Sequence, residues 1–128
     1  MDATTTVSSV EVAAQLFSAI QQGDLNAVHD LYAPDVAIWH NTDGITQGRE
    51  DNLRVLRWLT RTMRNVRYED VRVQPTPAGF VQQHVLRATT AGGKDVELPA
   101  CIICDVVDGK ITRLAEYLDS AAVAQMRD

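Results

Sequence analysis

Residues 80–118, FVQQHVLRATTAGGKDVELPACIICDVVDGKITRLAEYL, alternate apolar and polar side chains along three segments that two turns separate. The first turn contains Gly92-Gly93 and the second contains Asp108-Gly109, and both dipeptides are typical of tight β-hairpins. A fourth alternating segment precedes them. The pattern therefore predicts an antiparallel meander of four strands: 68–74, 80–90, 96–107 and 111–118.

Before this meander, the apolar spacing changes to three and four residues, which indicates helices. The predicted elements are a helix to about Gln22 capped by Ser8 or Ser9, a helix from Asp24 that Pro34 ends, a short strand over 36–40, and a helix over 49–63. Helices collected on one face of an antiparallel sheet make an α+β domain. We expect residues 1–8 to be a flexible tail and 9–128 to be a single domain.

The composition excludes several classes of partner. A chain of 128 residues with 45% apolar side chains can bury one core, and its net charge of −5 offers no basic field. We therefore expect no nucleic-acid or membrane partner. Cys101 and Cys104 lie three apart on a strand, so they point to opposite faces and predict neither a metal site nor a redox turn. No apolar run resembles a signal peptide, which favours a cytoplasmic location.

Alternation along the strands also predicts which side chains face the helices. Asp105 and Arg113 mark the outer face of the sheet, because unpaired charges avoid burial. The inner face is then mainly aliphatic. The polar residues assigned to it are Gln83, Arg87, Glu116 and, from the short strand, His40.

The outer face of the sheet remains apolar in this assignment. Its large side chains and its thiol are Phe80, Leu86, Cys101, Ile103 and Tyr117. The helices can cover only one face of the sheet. The sequence therefore predicts a homodimer through the outer face.

Polar groups that converge in an apolar cavity are typical of a ligand site. We expect Glu116 to act as a general base there, because an apolar environment makes a carboxylate a better base near neutral pH. His40 could share a proton with Glu116 or polarise a ligand carbonyl. Gln83 and Arg87 could orient the ligand, and Trp58 could line the opening. Pairing of Glu116 with Arg87 or His40 in a purely structural network remains the alternative.

Three motifs resemble the nuclear transport factor 2-like superfamily over nearly the whole chain. The stretch from Gly23-Asp24-Leu25 to Val36 resembles its second helix and first strand, and Gly48-Arg49-Glu50 resembles the start of its third helix. Asp108-Gly109-Lys110-Ile111 with Glu116-Tyr117-Leu118-Asp119 resembles its closing hairpin. The resemblance implies a cone-shaped fold, with three N-terminal helices packed on a curved antiparallel sheet around one pocket.

This superfamily includes ketosteroid isomerases, SnoaL-type polyketide cyclases, limonene-epoxide hydrolases and non-catalytic binding modules. The polar positions of the isomerases correspond to His40, Leu16 and Ile102 here, so two of three roles are absent. The epoxide hydrolases need a carboxylate on a middle strand that this sequence lacks. The SnoaL-type resemblance implies that Glu116 removes a proton next to a carbonyl.

Two hypotheses follow from the residues and the resemblance. In the first, the protein is a SnoaL-like or ketosteroid isomerase-like enzyme that acts without cofactor or metal on a small hydrophobic carbonyl compound. Its catalytic residues are Glu116 and His40, and its ligand-binding residues are Gln83, Arg87, Trp58, Ile102 and Leu16. In the second, it is a non-catalytic ligand-binding or dimerisation module. Epoxide hydrolysis ranks below both.

Overall fold

The computed structural model describes residues 8–127. Its helices are α1 (Ser9–Gln22), α2 (Leu25–Leu31), α3 (Arg49–Thr62) and α4 (Ser120–Val123), followed by a 3₁₀ turn (Ala124–Met126). Its strands are β1 (Tyr32–His40), β2 (Thr46–Gln47), β3 (Arg64–Pro75), β4 (Gly79–Thr89), β5 (Asp95–Val107) and β6 (Lys110–Leu118). The α+β class is confirmed. The expected N-terminal tail lies outside the described residues except for Ser8.

The six strands form one sheet in the order β2-β1-β6-β5-β4-β3. The predicted meander of β3 to β6 is confirmed as antiparallel. β1 joins its edge by pairing in parallel with β6, so the sheet is mixed rather than wholly antiparallel. This parallel pairing places the C-terminal end of β1 beside the second half of β6.

Local chemistry explains where the helices begin and end. The Ser8 side chain accepts a hydrogen bond from the Glu11 backbone and Glu11 reaches back to Ser8, which is a capping box at the start of α1. Gly23 ends α1 with φ of 69°, a left-handed conformation that glycine adopts without strain. The side chain of Asp24 then caps α2 by accepting from Ala27 N–H.

The predicted role of Pro34 is wrong. α2 already ends at Leu31, and Pro34 lies inside β1. The β1–β6 pairing is irregular between Tyr32 and Ala37, so the missing N–H of proline falls where the ladder is interrupted. The strand is therefore longer at its start than the predicted 36–40.

The predicted faces of β4 are also wrong. Gln83 and Arg87 lie on the outer face, whereas Phe80, His84 and Leu86 are buried on the inner face. Pairing with β5 sets this orientation, because Gln82 lies opposite the buried Ile102. The assignments of Phe80 and Leu86 to the outer face are therefore corrected.

Two hydrogen-bonding arrangements make the observed orientation of β4 stable. On the inner face, the buried side chains of Gln82 and His84 bond each other, with 2.9 Å between Nε2 and Nδ1. On the outer face, Arg87 forms ion pairs with Glu69, Asp70 and Glu97 at 3.1–3.2 Å. Polar side chains therefore lie on both faces of this strand, so its polarity alone does not identify the buried face.

The corrected orientation of β4 predicts how stability responds to truncation. Phe80→Ala removes a fully buried ring and is expected to lower the free energy of unfolding by about 3–5 kcal/mol. Val81→Ala, on the opposite face of the same strand, is the matched control and should cost much less. Urea denaturation measures both; an equal or larger loss for Val81→Ala would contradict the assignment.

Candidate active site

The parallel register between β1 and β6 places His40 directly beside Glu116. His40 Nε2 lies 3.0 Å from Glu116 Oε1, and the two side chains are 20% and 21% exposed. The Asn41 N–H donates to the backbone oxygen of Glu116 at 3.0 Å, and the Asn41 side chain accepts from the Leu118 N–H at 2.9 Å. These bonds fix the end of β1 to β6 at Glu116 and at Leu118.

Glu116 controls the charge of His40. The hydrogen bond that His40 donates to Glu116 raises the pKa of His40 above its ordinary value, although partial burial opposes the shift, and Asp43 adds a smaller raising effect. The imidazolium form of His40 is therefore favoured. Among residues 8–127, the second carboxylate oxygen of Glu116 and His40 Nδ1 have no hydrogen-bond partner. Both atoms remain available to a ligand.

The pair opens into a cavity of about 280 Å³ between α3, the sheet and the C-terminal turn. Its apolar wall consists of Val55, Leu56, Trp58, Leu59, Leu86, Leu98, Leu118, Val123 and Met126. Its polar lining consists of His40, Thr42, Asp43, Gln47, Asn52, Tyr68 and Glu116. A wall that is mainly apolar and carries convergent polar groups is the usual composition of a small-molecule site.

The C-terminal segment closes one side of this cavity. Gln125 bonds the backbone of Glu97 twice: its side chain accepts from the N–H at 3.1 Å and donates to the oxygen at 3.0 Å. These two hydrogen bonds anchor the turn to β5. Val123 and Met126 are thereby held against the cavity.

Tyr68 is a polar cavity residue that sequence reasoning missed. Burial raises the pKa of its phenol, and the charge of Glu116 raises it further, so the hydroxyl stays protonated at physiological pH. Its ring packs edge-to-face with Phe17 and His84, with centroids 4.8 Å and 4.7 Å away. No group within residues 8–127 hydrogen-bonds the Tyr68 hydroxyl. It is a half-buried donor in the cavity lining that a bound molecule can satisfy.

A second missed feature is a hydrogen-bond chain below the cavity mouth. The buried Tyr32 hydroxyl donates to Asn52 Oδ1 at 2.8 Å, and Asn52 Nδ2 donates to Gln47 Oε1 at 3.2 Å. The chain fixes β2 and α3 against β1. A sequence signal existed, since Asn52 lies four residues before Leu56 and so shares its inward-facing stripe.

The structure brings together three of the seven predicted site residues. His40, Glu116 and Trp58 line the cavity, as their positions in the sequence predicted. Leu16 and Ile102 are buried in the core and do not line it. Gln83 and Arg87 do not line it either, because β4 presents them to the outer face.

Two further observations concern metals and membranes. Over residues 8–127, no group of three or more His, Cys, Asp or Glu side chains is placed to hold a metal ion. In the same range, no helix has the length and apolarity to cross a membrane. Cys101 and Cys104 are free thiols.

Comparisons with known proteins agree with this architecture. The profile of the SnoaL-like domain matches residues 13–114. A proposed polyketide cyclase from Xanthomonas campestris pv. campestris is 23% identical, with a TM-score of 0.80 over 92% of this chain and 96% of its own. No curated protein gives a significant match.

Two other solved structures extend the likeness. A protein with a ketosteroid isomerase-like fold from Catenulispora acidiphila, in complex with trimethylamine, is 19% identical, with a TM-score of 0.78 over 91% of this chain and 92% of its own. An LEH-like epoxide hydrolase from M. tuberculosis is 19% identical, with a TM-score of 0.72 over 89% and 84%. The predicted nuclear transport factor 2-like fold is confirmed.

The pairing of His40 with Glu116 predicts a pH effect. In Glu116→Gln the main cause of the raised His40 pKa is lost while burial remains, so the pKa is expected to fall to or below its ordinary value of about 6.5. Histidine side-chain NMR signals followed from pH 5 to 9 measure this change.

The pH dependence of folding stability is a second measurement of the His40–Glu116 pair. Because its pKa is higher in the folded state, protonated His40 stabilises the fold below about pH 6.5, and this stabilisation is lost as pH rises through the folded-state pKa. The loss should be smaller in Glu116→Gln. An unchanged His40 pKa in the variant would show that the two side chains are not paired.

Proposed function

This chain belongs to the SnoaL-like domain family, and from that membership and the site geometry we propose a cofactor-independent isomerase or cyclase that acts on a small hydrophobic carbonyl compound. The observation that carries the proposal is the His40–Glu116 pair, 3.0 Å apart, in the wall of an apolar cavity. A carboxylate at such a place is well suited to abstract a proton from carbon.

In this proposal Glu116 is the general base. Its unpartnered carboxylate oxygen removes a proton from the carbon next to the ligand carbonyl, and the C–H electron pair forms the enolate double bond. The negative charge moves to the carbonyl oxygen. In a ligand with a β,γ carbon–carbon double bond, return of the proton from Glu116 to the γ-carbon gives the conjugated isomer. Attack of the enolate carbon on a second carbonyl instead closes a ring, and the alkoxide formed at that carbonyl takes the proton back from Glu116.

The developing oxyanion needs hydrogen-bond donors that are already in place. His40 supplies Nδ1–H when it is protonated, and the raised pKa keeps it protonated above its ordinary range. The Tyr68 hydroxyl is the second candidate donor, because it lines the same cavity in its neutral form. We therefore assign both residues to the carbonyl oxygen and Glu116 to the carbon.

The apolar wall supports a hydrophobic ligand rather than a sugar or a phosphate. Nine of the lining residues are aliphatic, aromatic or thioether side chains, and no lysine or arginine lines the cavity. An anionic ligand would lose its hydration and would meet only the His40 imidazolium, which Glu116 already pairs. Epoxide hydrolysis is less favoured, since the inner face of β4 offers Gln82 and His84 but no carboxylate to complete a water-activating pair.

A non-catalytic ligand-binding module is the second candidate function. The observation that favours it is that Glu116 is already satisfied by His40, as in a structural ion pair. Such a module would hold the same ligand and leave its protons in place. The two candidates differ only in chemistry, so a proton-exchange assay separates them.

Exchange of the α-protons of cyclohexanone in D₂O, followed by ¹H NMR, tests the proposal. Glu116→Gln is expected to lower the protein-catalysed rate by about 10²–10⁴-fold, because the base is removed while the cavity keeps its shape. Glu97→Gln, an exposed carboxylate on β5, is the matched control and should keep the wild-type rate.

Two results of this assay would contradict catalysis. An equal rate for wild type and Glu116→Gln would remove Glu116 as the base. Binding of the ketone with exchange no faster than in buffer would favour the non-catalytic module.

We also propose that two copies associate through the outer face of the sheet. Ile103 and Tyr117 are exposed there, and Trp39 packs edge-to-face on Tyr117 with centroids 5.3 Å apart. Such an apolar, aromatic surface is typical of an interface.

Light scattering tests this association. The wild type is expected to have the mass of a dimer, and Ile103→Arg should have that of a monomer, because it places a charge in the interface. Ile45→Arg, at an exposed site near α3, is the control and should remain dimeric. A monomeric wild type at micromolar concentration would contradict the proposal.

A further inference from the structure

An exposed apolar groove lies beside the cavity mouth, between β2 and α3. Three large hydrophobic side chains border it: Ile45 is 58% exposed, Val55 43% and Trp58 47%. The groove encloses about 440 Å³. Single exposed hydrophobic side chains are normal on a protein surface, whereas a cluster of them in one groove is typical of a binding surface.

The groove adjoins the cavity along three shared side chains. Gln47, Val55 and Trp58 line both spaces, so a molecule that extends past the Trp58 side chain, which is 47% exposed, would reach the groove. Gln47 is held at this junction by Asn52. The shared wall makes the groove an outer extension of the proposed active site rather than a separate site.

The volumes of the cavity and the groove indicate the size of the molecule that they can hold. The cavity of about 280 Å³ lies just below the range of about 300–1,000 Å³ that is usual for drug-sized ligands. It therefore suits a compact group that carries the carbonyl. With the adjoining groove, the available space falls well inside that range.

The polar groups of the groove indicate an uncharged occupant. Arg54 and Asp51 bond each other at 2.9 Å, so their charges are mutually satisfied. The remaining polar side chains there, Thr46 and Gln47, are neutral. A phosphate or carboxylate tail would find no unpaired cation along this path, whereas an alkyl chain would cover Ile45 and Val55.

We infer that the substrate is elongated, with a compact carbonyl head in the cavity and an uncharged apolar tail that crosses Trp58 into the groove. This inference rests on the proposed function for the position of the head. It adds the substrate class, namely carbonyl compounds with an extended hydrocarbon substituent.

Calorimetric titration with cyclohexanone, 2-butylcyclohexanone and 2-octylcyclohexanone tests the inference. Affinity is expected to rise about threefold to fourfold for each methylene that the groove covers. Ile45→Ser should lower the ratio of octyl to parent affinity by about tenfold or more, because the tail loses its outer contact. Val107→Ser, an equally exposed valine outside the groove and the cavity, is the control and should leave that ratio unchanged.

The outcomes separate the inference from the proposed function. The inference is wrong if affinity does not depend on tail length, or if Ile45→Ser and Val107→Ser lower the ratio of octyl to parent affinity equally. Either result counts against the groove even if cyclohexanone exchanges its α-protons. Affinity that rises with tail length and depends on Ile45 supports the groove even if no ketone in the series exchanges faster than in buffer.

Discussion

The parallel pairing of β1 with β6 is the constraint on which the site depends. It puts His40 opposite Glu116, and the bonds of Asn41 to the backbone of Glu116 and of Leu118 fix that register. A shift by one residue would turn His40 to the outer face, because side chains alternate along a strand. The cavity would then contain a carboxylate without its cation. The pair, the pKa of His40 and the proposed chemistry all follow from this one register.

The cost of burying His40 and Glu116 is offset by the ion pair that they form. Removing charges from water is unfavourable unless each is paired, and His40 and Glu116 meet that need with one bond. The bond leaves one carboxylate oxygen and one imidazole nitrogen uncommitted, and Tyr68 lines the same cavity. The same arrangement thus supports folding and leaves reactive atoms for a ligand. The apolar wall keeps these few polar atoms in a poorly hydrated space, where their interactions are strong.

Much of the fold and part of the site could be predicted from sequence. Caps at Ser8 and Asp24 and the alternation of 96–118 are local signals, so the helices, the meander and the inward position of Glu116 were accessible. The orientation of β4 was not, because the buried, hydrogen-bonded pair of Gln82 and His84 makes the inner face look as polar as the outer face. The hairpin contained the missing signal, since a turn centred on Gly92 pairs Arg87 with Glu97 on the outer face. Tyr68 enters the cavity by long-range packing on Phe17, which no local pattern encodes.

The most direct test of the account is an NMR footprint of 2-octylcyclohexanone on the wild-type protein labelled at histidine, glutamate and tryptophan. The account predicts that the side-chain signals of His40, Glu116 and Trp58 move together along one binding curve, while Trp39 on the outer face does not respond. A ligand that moves Trp39 and leaves His40 and Glu116 unchanged would place binding elsewhere and contradict the account.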